Sequence, residues 1–120
     1  MFDALKSMFG GRKKSISSRK TLELEATLEP VAGAAGHGEA DYAAYSDGGR
    51  TLEIELENIG PGEVEVIIGS IANRFTATSA SAEFKLSTRS GNVVPECREG
   101  GRVDVRRSGA VILSGTFRRD

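Results

Sequence analysis

The residues best suited to chemistry are glutamates that recur at every second position in the middle of the chain. Glu53, Glu55 and Glu57 stand at i, i+2 and i+4. This spacing places them on one face of a β-strand, with successive Cα atoms roughly 6.5 Å apart. Glu63 and Glu65 follow a glycine-proline-glycine turn, so we expect them on the neighbouring strand. The sequence therefore predicts one acidic face made of five carboxylates.

An acidic face of this kind is compatible with three functions. Two carboxylates can act as acid and base in sugar hydrolysis, but one of them must be kept protonated in an apolar cleft. Carboxylates can also bind a divalent cation or a basic partner. Because a solvated sheet face lacks an apolar cleft, we expect a solubilising or binding surface and assign no catalytic residue. The alternatives are a carbohydrate-acting enzyme using Glu53, Glu55, Glu63 or Glu65, and a divalent-cation binder using the same acids.

The chain has a single histidine, His37, and a single cysteine, Cys97. A Ser-His-Asp or Cys-His site would have to use His37, and Cys97 lacks a recognisable nucleophile context. One histidine and one cysteine are too few for a zinc site with nitrogen and sulfur ligands. The glycines at 33, 36 and 38 reverse the order of a dinucleotide fingerprint and precede a strand rather than a helix, so no dinucleotide site is expected. We assign no cofactor and no metal ligand. A lone cysteine forms no intrachain disulfide, which favours a reduced cytoplasmic setting.

The elements that must position the acids are β-strands, because apolar and polar residues alternate from residue 21 onward. Glycine-rich turns recur every 8–12 residues. This rhythm is typical of an all-β fold, an antiparallel β-sandwich or partly closed barrel of about eight short strands. In the last strand, alternation predicts that Val111 and Leu113 point inward and that Ile112 points outward.

The first twenty residues follow a different pattern. Apolar side chains at i, i+3, i+6 and i+7 predict a short amphipathic helix over residues 2–9. About eight residues are too few for a stable isolated helix, so we expect this helix to dock on its own domain, on a sister subunit, on another protein or weakly on a membrane surface. We therefore divide the chain into a helix and basic linker, residues 1–20, and a β-sandwich domain, residues 21–120. The residues expected to dock are Phe2, Leu5, Met8, Phe9, Arg12, Lys13 and Lys14.

Charge is segregated along the chain although the net charge is only −1. Residues 1–20 carry +5, residues 21–65 carry −10 and residues 66–120 carry +4. Like charges opposite each other in a sheet are destabilising, so we expect arginines of the C-terminal strands to relieve the acidic face. If these arginines do not lie beside the acidic face, we expect a basic partner or a second copy of the chain to relieve its repulsion. The arginines concerned are Arg102, Arg106, Arg107, Arg118 and Arg119.

The same sequence disfavours a membrane-spanning protein, a secreted protein and a nucleic-acid-binding protein. No run of about 18 apolar residues is present, so no transmembrane helix is expected. The N-terminus lacks the uninterrupted apolar stretch of a secretory signal. Because residues 21–120 are acidic overall, no nucleic acid is expected as a partner. We expect a cytoplasmic protein, with a membrane surface as a peripheral option for its basic N-terminal segment.

The stretch from residue 38 to residue 117 carries a set of glycine turns and apolar alternations. They are Gly38-x-Ala40-x-Tyr42, Leu52-x-Ile54-x-Leu56 with Gly60-x-Gly62, Val93-Val94-Pro95 and Gly109-x-Val111-Ile112-Leu113-Ser114-Gly115-x-Phe117. With these motifs the stretch, about two-thirds of the chain, resembles small uncharacterised bacterial β-sandwich domains and is distantly similar in rhythm to chordin-type CHRD repeats. The resemblance implies a fold but no activity. The charge segregation and the absence of a catalytic constellation favour a non-catalytic interaction or assembly module with a protein partner or a second copy.

Overall fold

The computed structural model describes residues 18–31 and 33–120. The helix expected over residues 2–9 and its docking residues, Phe2 to Lys14, lie outside this part of the chain. The described residues form nine β-strands and a short 3₁₀ helix, Thr88–Ser90. The strands are β1 (Lys20–Pro30), β2 (His37–Tyr45), β3 (Arg50–Glu57), β4 (Gly62–Ile68), β5 (Ile71–Ala77), β6 (Ala82–Ser87), β7 (Arg102–Arg107), β8 (Ala110–Thr116) and β9 (Arg118–Arg119).

All strand pairings in this part of the chain are antiparallel, in the order β5-β4-β7-β8-β1-β2-β3-β6, with β9 also paired to β1. The expected all-β antiparallel fold is thus confirmed, and the sheet curls into a nearly closed barrel. β1 joins two halves, because its first part pairs with β2 and its last residues pair with β8. We call β1, β2, β3, β6 and β9 the front half, and β4, β5, β7 and β8 the back half.

The core forms because each strand presents one apolar face to the barrel interior. Glutamates alternate with these apolar residues and remain partly or fully exposed on β1, β3 and β4. This arrangement follows directly from the two-residue period of the sequence. The largest fully buried side chains are Phe117, Leu24, Leu28, Leu52, Ile54, Leu56, Leu113, Val64, Val66, Val94, Val103 and Val105.

A β-bulge changes the expected orientation of β8. Val105 pairs with Leu113, but the next residue of β7, Arg106, pairs with Val111. The bulge leaves Ile112 as the extra residue on β8, and Ile112 packs against the core. The predicted inward position of Val111 and outward position of Ile112 were therefore wrong, because one inserted residue shifts the alternation.

One end of the barrel is closed by residues 91–101, which lack regular secondary structure. The Arg50 guanidinium donates two hydrogen bonds to the carbonyl oxygen of Val94, at 3.2 and 2.9 Å. The Phe117 amide donates to the carbonyl of Gly101, and the Gly100 amide donates to the carbonyl of Phe117, both at 2.8 Å. These bonds hold Val94 and Cys97 in the core.

Candidate functional site

The outer surface of the front half carries a lattice of carboxylates. β2 lies between β1 and β3, so Asp41 stands opposite both Glu25 and Glu53. Glu55 likewise stands opposite both Glu39 and Glu83. Acid therefore faces acid across three successive strand pairs. We define the front acidic face as Glu25, Glu39, Asp41, Glu53, Glu55, Glu57 and Glu83.

The two acids of β4 do not belong to this face. The loop after β3 carries the chain into the back half, where β4 pairs with β5 and β7 rather than with β3. There Glu65 forms ion pairs with Arg74 at 3.3 Å and with Arg106 at 3.4 Å. The expected continuation of the acidic face from β3 onto Glu63 and Glu65 is thus not observed. An acid–base pair drawn from β3 and β4 is not assembled either.

The sequence pattern did not predict four members of the front acidic face: Glu25, Glu39, Asp41 and Glu83. It predicted the strands that carry them, but it did not predict which strands lie side by side. The turn at Asp47-Gly48-Gly49 was the available signal, because a short turn between two alternating segments indicates a hairpin. That hairpin aligns β2 with β3 and so opposes Glu39 to Glu55.

The arginines expected to relieve the acids lie mostly elsewhere. Arg102 pairs with Asp104 at 2.9 Å, and Arg106 pairs with Glu65, both in the back half. Arg107 donates to the carbonyl oxygens of Ile59 and Gly60 at 2.5 and 3.0 Å. On β9, Arg119 pairs with Glu99, and only Arg118 stands beside the face, opposite Glu25.

Two basic groups of the front half do contact the acids. Lys85 Nζ lies 3.4 Å from Glu53 Oε2, and His37 Nε2 lies 3.2 Å from Glu57 Oε1. Lys85, His37 and Glu57 are well exposed and Glu53 is partly exposed, and surface pairs of this kind contribute only about 0–1 kcal/mol. The face therefore keeps a large excess of negative charge.

A groove of about 420 Å³ runs along the same surface near the start of β1. Ala43 lies at its floor and is only 8% exposed although it points outward. The groove thus combines an acidic lining with a small apolar floor and basic groups at its margin. The outward-facing or terminal residues that line it are Lys20, Glu23, Asp41, Ala43, Tyr45, Thr51, Glu53, Lys85, Ser87 and Asp120.

Crowding of carboxylates perturbs the ionisation of this surface. Partial removal of the Asp41 carboxyl from water, reinforced by the negative charges of Glu25 and Glu53, raises its pKa to about 6. A hydrogen bond with Glu53 raises the pKa of Glu83. Both shifts have the direction expected where like charges are held together. Ionised Asp41 therefore weakens the fold at neutral pH.

We expect Asp41→Asn to stabilise the protein, and to do so more strongly at pH 8 than at pH 4.5. A pKa raised in the folded state contributes stability below the unfolded pKa of about 4, and that contribution is lost as pH rises through about 6. After discounting for solvent exposure, the expected gain at pH 8 is on the order of 1 kcal/mol. Urea unfolding at pH 4.5, 6 and 8 measures it. Glu63→Gln, an equal charge change in the back half, is the control, and an unchanged pH slope in Asp41→Asn would contradict the prediction.

Carboxylates on this face also approach one another closely enough to share a cation. One ligand oxygen each from Glu25, Glu39 and Asp41 lies within 4.8 Å of the others. The same holds for Glu53, Glu55 and Glu83. Hard cations such as Ca²⁺ prefer oxygen ligands of this type, although they take six to eight of them. These two triplets are the residues that could hold such an ion.

The structure separates His37 from Cys97. His37 begins β2 and is exposed, whereas Cys97 is buried in the segment that closes the other end of the barrel. Burial raises the pKa of the Cys97 thiol to about 12, which keeps it in the unreactive thiol form. The two residues do not form a nucleophile–base pair.

Comparisons with protein-family models, with curated proteins and with solved structures found no match for this chain. The resemblance to bacterial β-sandwich domains and CHRD repeats therefore stays a prediction. Among the described residues, none of the helical structure is long and apolar enough to cross a membrane.

Proposed function

We propose that this protein is a non-catalytic interaction module whose front acidic face binds a basic segment of a protein partner. The supporting observation is the strand register, which opposes Asp41 to Glu25 and Glu53, and Glu55 to Glu39 and Glu83. Like charges at such positions oppose folding. A lysine- or arginine-rich partner would replace this repulsion by attraction, so the free energy lost in the isolated fold is recovered on binding.

The shape of the surface supports an extended partner rather than a small molecule. The groove beside Asp41 and Glu53 is lined by residues of four neighbouring strands, β1, β2, β3 and β6, and its floor at Ala43 leaves room above the sheet for a chain. Acids of four strands are spread across the face, so several basic side chains of one peptide could be engaged together. Contacts of this kind give fast, salt-sensitive association.

We expect fluorescein-labelled decalysine to bind the full-length protein, and we expect the affinity to fall as salt rises from 50 to 200 mM. Glu39→Gln with Glu55→Gln should weaken binding about five-fold, because each lost exposed pair is worth roughly 0.2–1 kcal/mol. Fluorescence anisotropy at fixed ionic strength measures both effects.

The matched control is Glu63→Gln with Glu96→Gln, which removes the same charge from exposed positions outside the face. This variant should bind the peptide as the unmodified protein does. Equal losses in the two double variants would mean that only net charge matters, and the assignment of the face would be withdrawn.

A divalent cation is the second candidate ligand, favoured by the two carboxylate triplets. The same double variants distinguish it when calcium chloride replaces the peptide. A site ligand would raise the melting temperature of the unmodified protein and of the Glu63→Gln/Glu96→Gln control, but not of Glu39→Gln/Glu55→Gln. An increase that sodium chloride of equal ionic strength reproduces would indicate screening of the repelling carboxylates alone.

A further inference from the structure

The barrel has an open seam between β5 and β6. These strands end the sheet, and each pairs along only one of its edges with another strand of the described chain. Across the seam, the rings of Phe75 and Phe84 stack with centroids 4.1 Å apart and an angle of 20° between their planes. The two sides thus meet through side chains and not through a hydrogen-bonded ladder.

The seam is apolar and incompletely covered. Side chains that face inward on the central strands are buried, but those of β5 and β6 are mostly half-buried. The side chains of Phe75, Phe84 and Leu86 are partly buried at the seam and pack against the core. Removing such surface from water is favourable by about 25 cal/mol per Å², so an apolar segment that covers the seam would be held there.

The chain enters the described fold beside the turn between β2 and β3, where Arg19 and Ser46 exchange hydrogen bonds, and a contact there connects it to the segment after β6. Arg89, two residues after β6, donates a hydrogen bond of 2.7 Å to the Ser18 hydroxyl. The same guanidinium donates to Asp47, and this bond lowers the pKa of the Asp47 carboxyl to about 2. It also lies 4.7 Å from the Tyr45 ring centroid. Ser18 therefore lies within one arginine side chain of the segment that follows β6.

We propose that residues 2–9 of the same chain cover the β5–β6 seam, with their apolar side chains against Phe75, Phe84 and Leu86. Residue 9 precedes Ser18 by nine positions, which allows a reach of about 30 Å, whereas β6 spans only about 20 Å. The segment supplies four large apolar side chains for a seam that the described residues cover only in part. They are Phe2, Leu5, Met8 and Phe9.

Opposite charges on the linker and on the outer side of β3 and β6 also favour this placement of residues 2–9. Arg12, Lys13 and Lys14 connect residues 2–9 to Ser18 in the sequence, and the proposed docking would bring them close to β6. The outer side of β6 carries Glu83, and the neighbouring β3 carries Glu53 and Glu55. In this arrangement the basic residues 12–14 lie near the acids of β3 and β6, while the apolar residues of segment 2–9 reach the seam. This inference does not depend on the identity of the external partner.

Hydrogen exchange of the full-length protein, followed by mass spectrometry, tests the proposal. Replacing Phe2, Leu5 and Phe9 together by serine should accelerate exchange in β5 and β6 about five-fold or more, because local protection reports local opening. Exchange in β1 and β2 should be unchanged, which shows that the fold is intact. Ile16→Ser, an apolar loss outside residues 2–9, is the control and should leave β5 and β6 as in the unmodified chain.

Two results would overturn the proposal. Exchange in β5 and β6 that is identical in the triple variant and the unmodified protein would mean that the segment does not cover the seam. Protection that rises with protein concentration between about 1 and 100 μM would instead assign the cover to a second copy, since an intramolecular contact is independent of concentration.

Discussion

Replacing Gly115 by alanine is expected to lower the free energy of unfolding by about 3 kcal/mol or more. Gly115 lies on β8 where β1 passes from the front half to the back half. A Cβ atom at this position would stand 2.2 Å from the carbonyl oxygen of Thr27, and backbone cannot move aside as a flexible side chain can. Because β1 joins both halves, a displacement here disturbs the whole barrel. Urea unfolding followed by circular dichroism measures the loss.

Gly48→Ala is the matched control, since it adds the same methyl group in open space. Gly48 has a φ of +90° and no other atom within 4 Å of the added Cβ, so only the left-handed backbone conformation opposes alanine. That costs about 1–2 kcal/mol. If Gly115→Ala were no more destabilising than Gly48→Ala, the close approach of β8 to β1 would be incorrect.

Truncation of Phe117 to alanine is expected to cost about 3–5 kcal/mol. Its ring is fully buried and lies 6.4 Å from the ring of Tyr42, centroid to centroid. The cavity left behind would also loosen residues 91–101, since Phe117 holds Gly100 and Gly101 through its backbone. A domain of this size is stabilised by only about 5–15 kcal/mol, so we expect partial unfolding at 37 °C, measured as a lower melting temperature and a lower urea midpoint.

Phe84→Ala provides the comparison, because the same side chain is removed from the half-buried seam. We expect a loss of about 1–2 kcal/mol there, since less surface returns to water. A larger loss for Phe84→Ala than for Phe117→Ala would place the main core at the seam and contradict the burial described above.

The strands were predictable because their signal is local. Alternation such as Leu52-Glu53-Ile54-Glu55 decides which side chains are buried whatever strand lies beside them. The orientation of Val111 and Ile112 was not predictable in this way. The bulge that inverts it depends on how β7 and β8 align, which is a property of two strands together.

The candidate site was predictable only in part, for the same reason. Glu53, Glu55 and Glu57 share a strand, so their common face follows from spacing alone. Glu63 and Glu65 lie close in sequence, yet the loop after β3 takes them into the other half of the barrel. Asp41 lies twelve residues from Glu53 but stands directly opposite it. The separation of two acids along the sequence therefore does not indicate whether they repel one another in the folded protein.

By itself the sequence determined that the chain from about residue 20 folds as amphipathic strands, because a period of two is encoded residue by residue. It also determined an excess of acids in the first half of that region. Only the tertiary structure decided that acids of β1, β2, β3 and β6 meet on one surface while Glu65 of β4 pairs with two arginines in the other half. Strand order and register come from long-range pairing, and the interaction between two charges depends on their separation in space rather than along the chain.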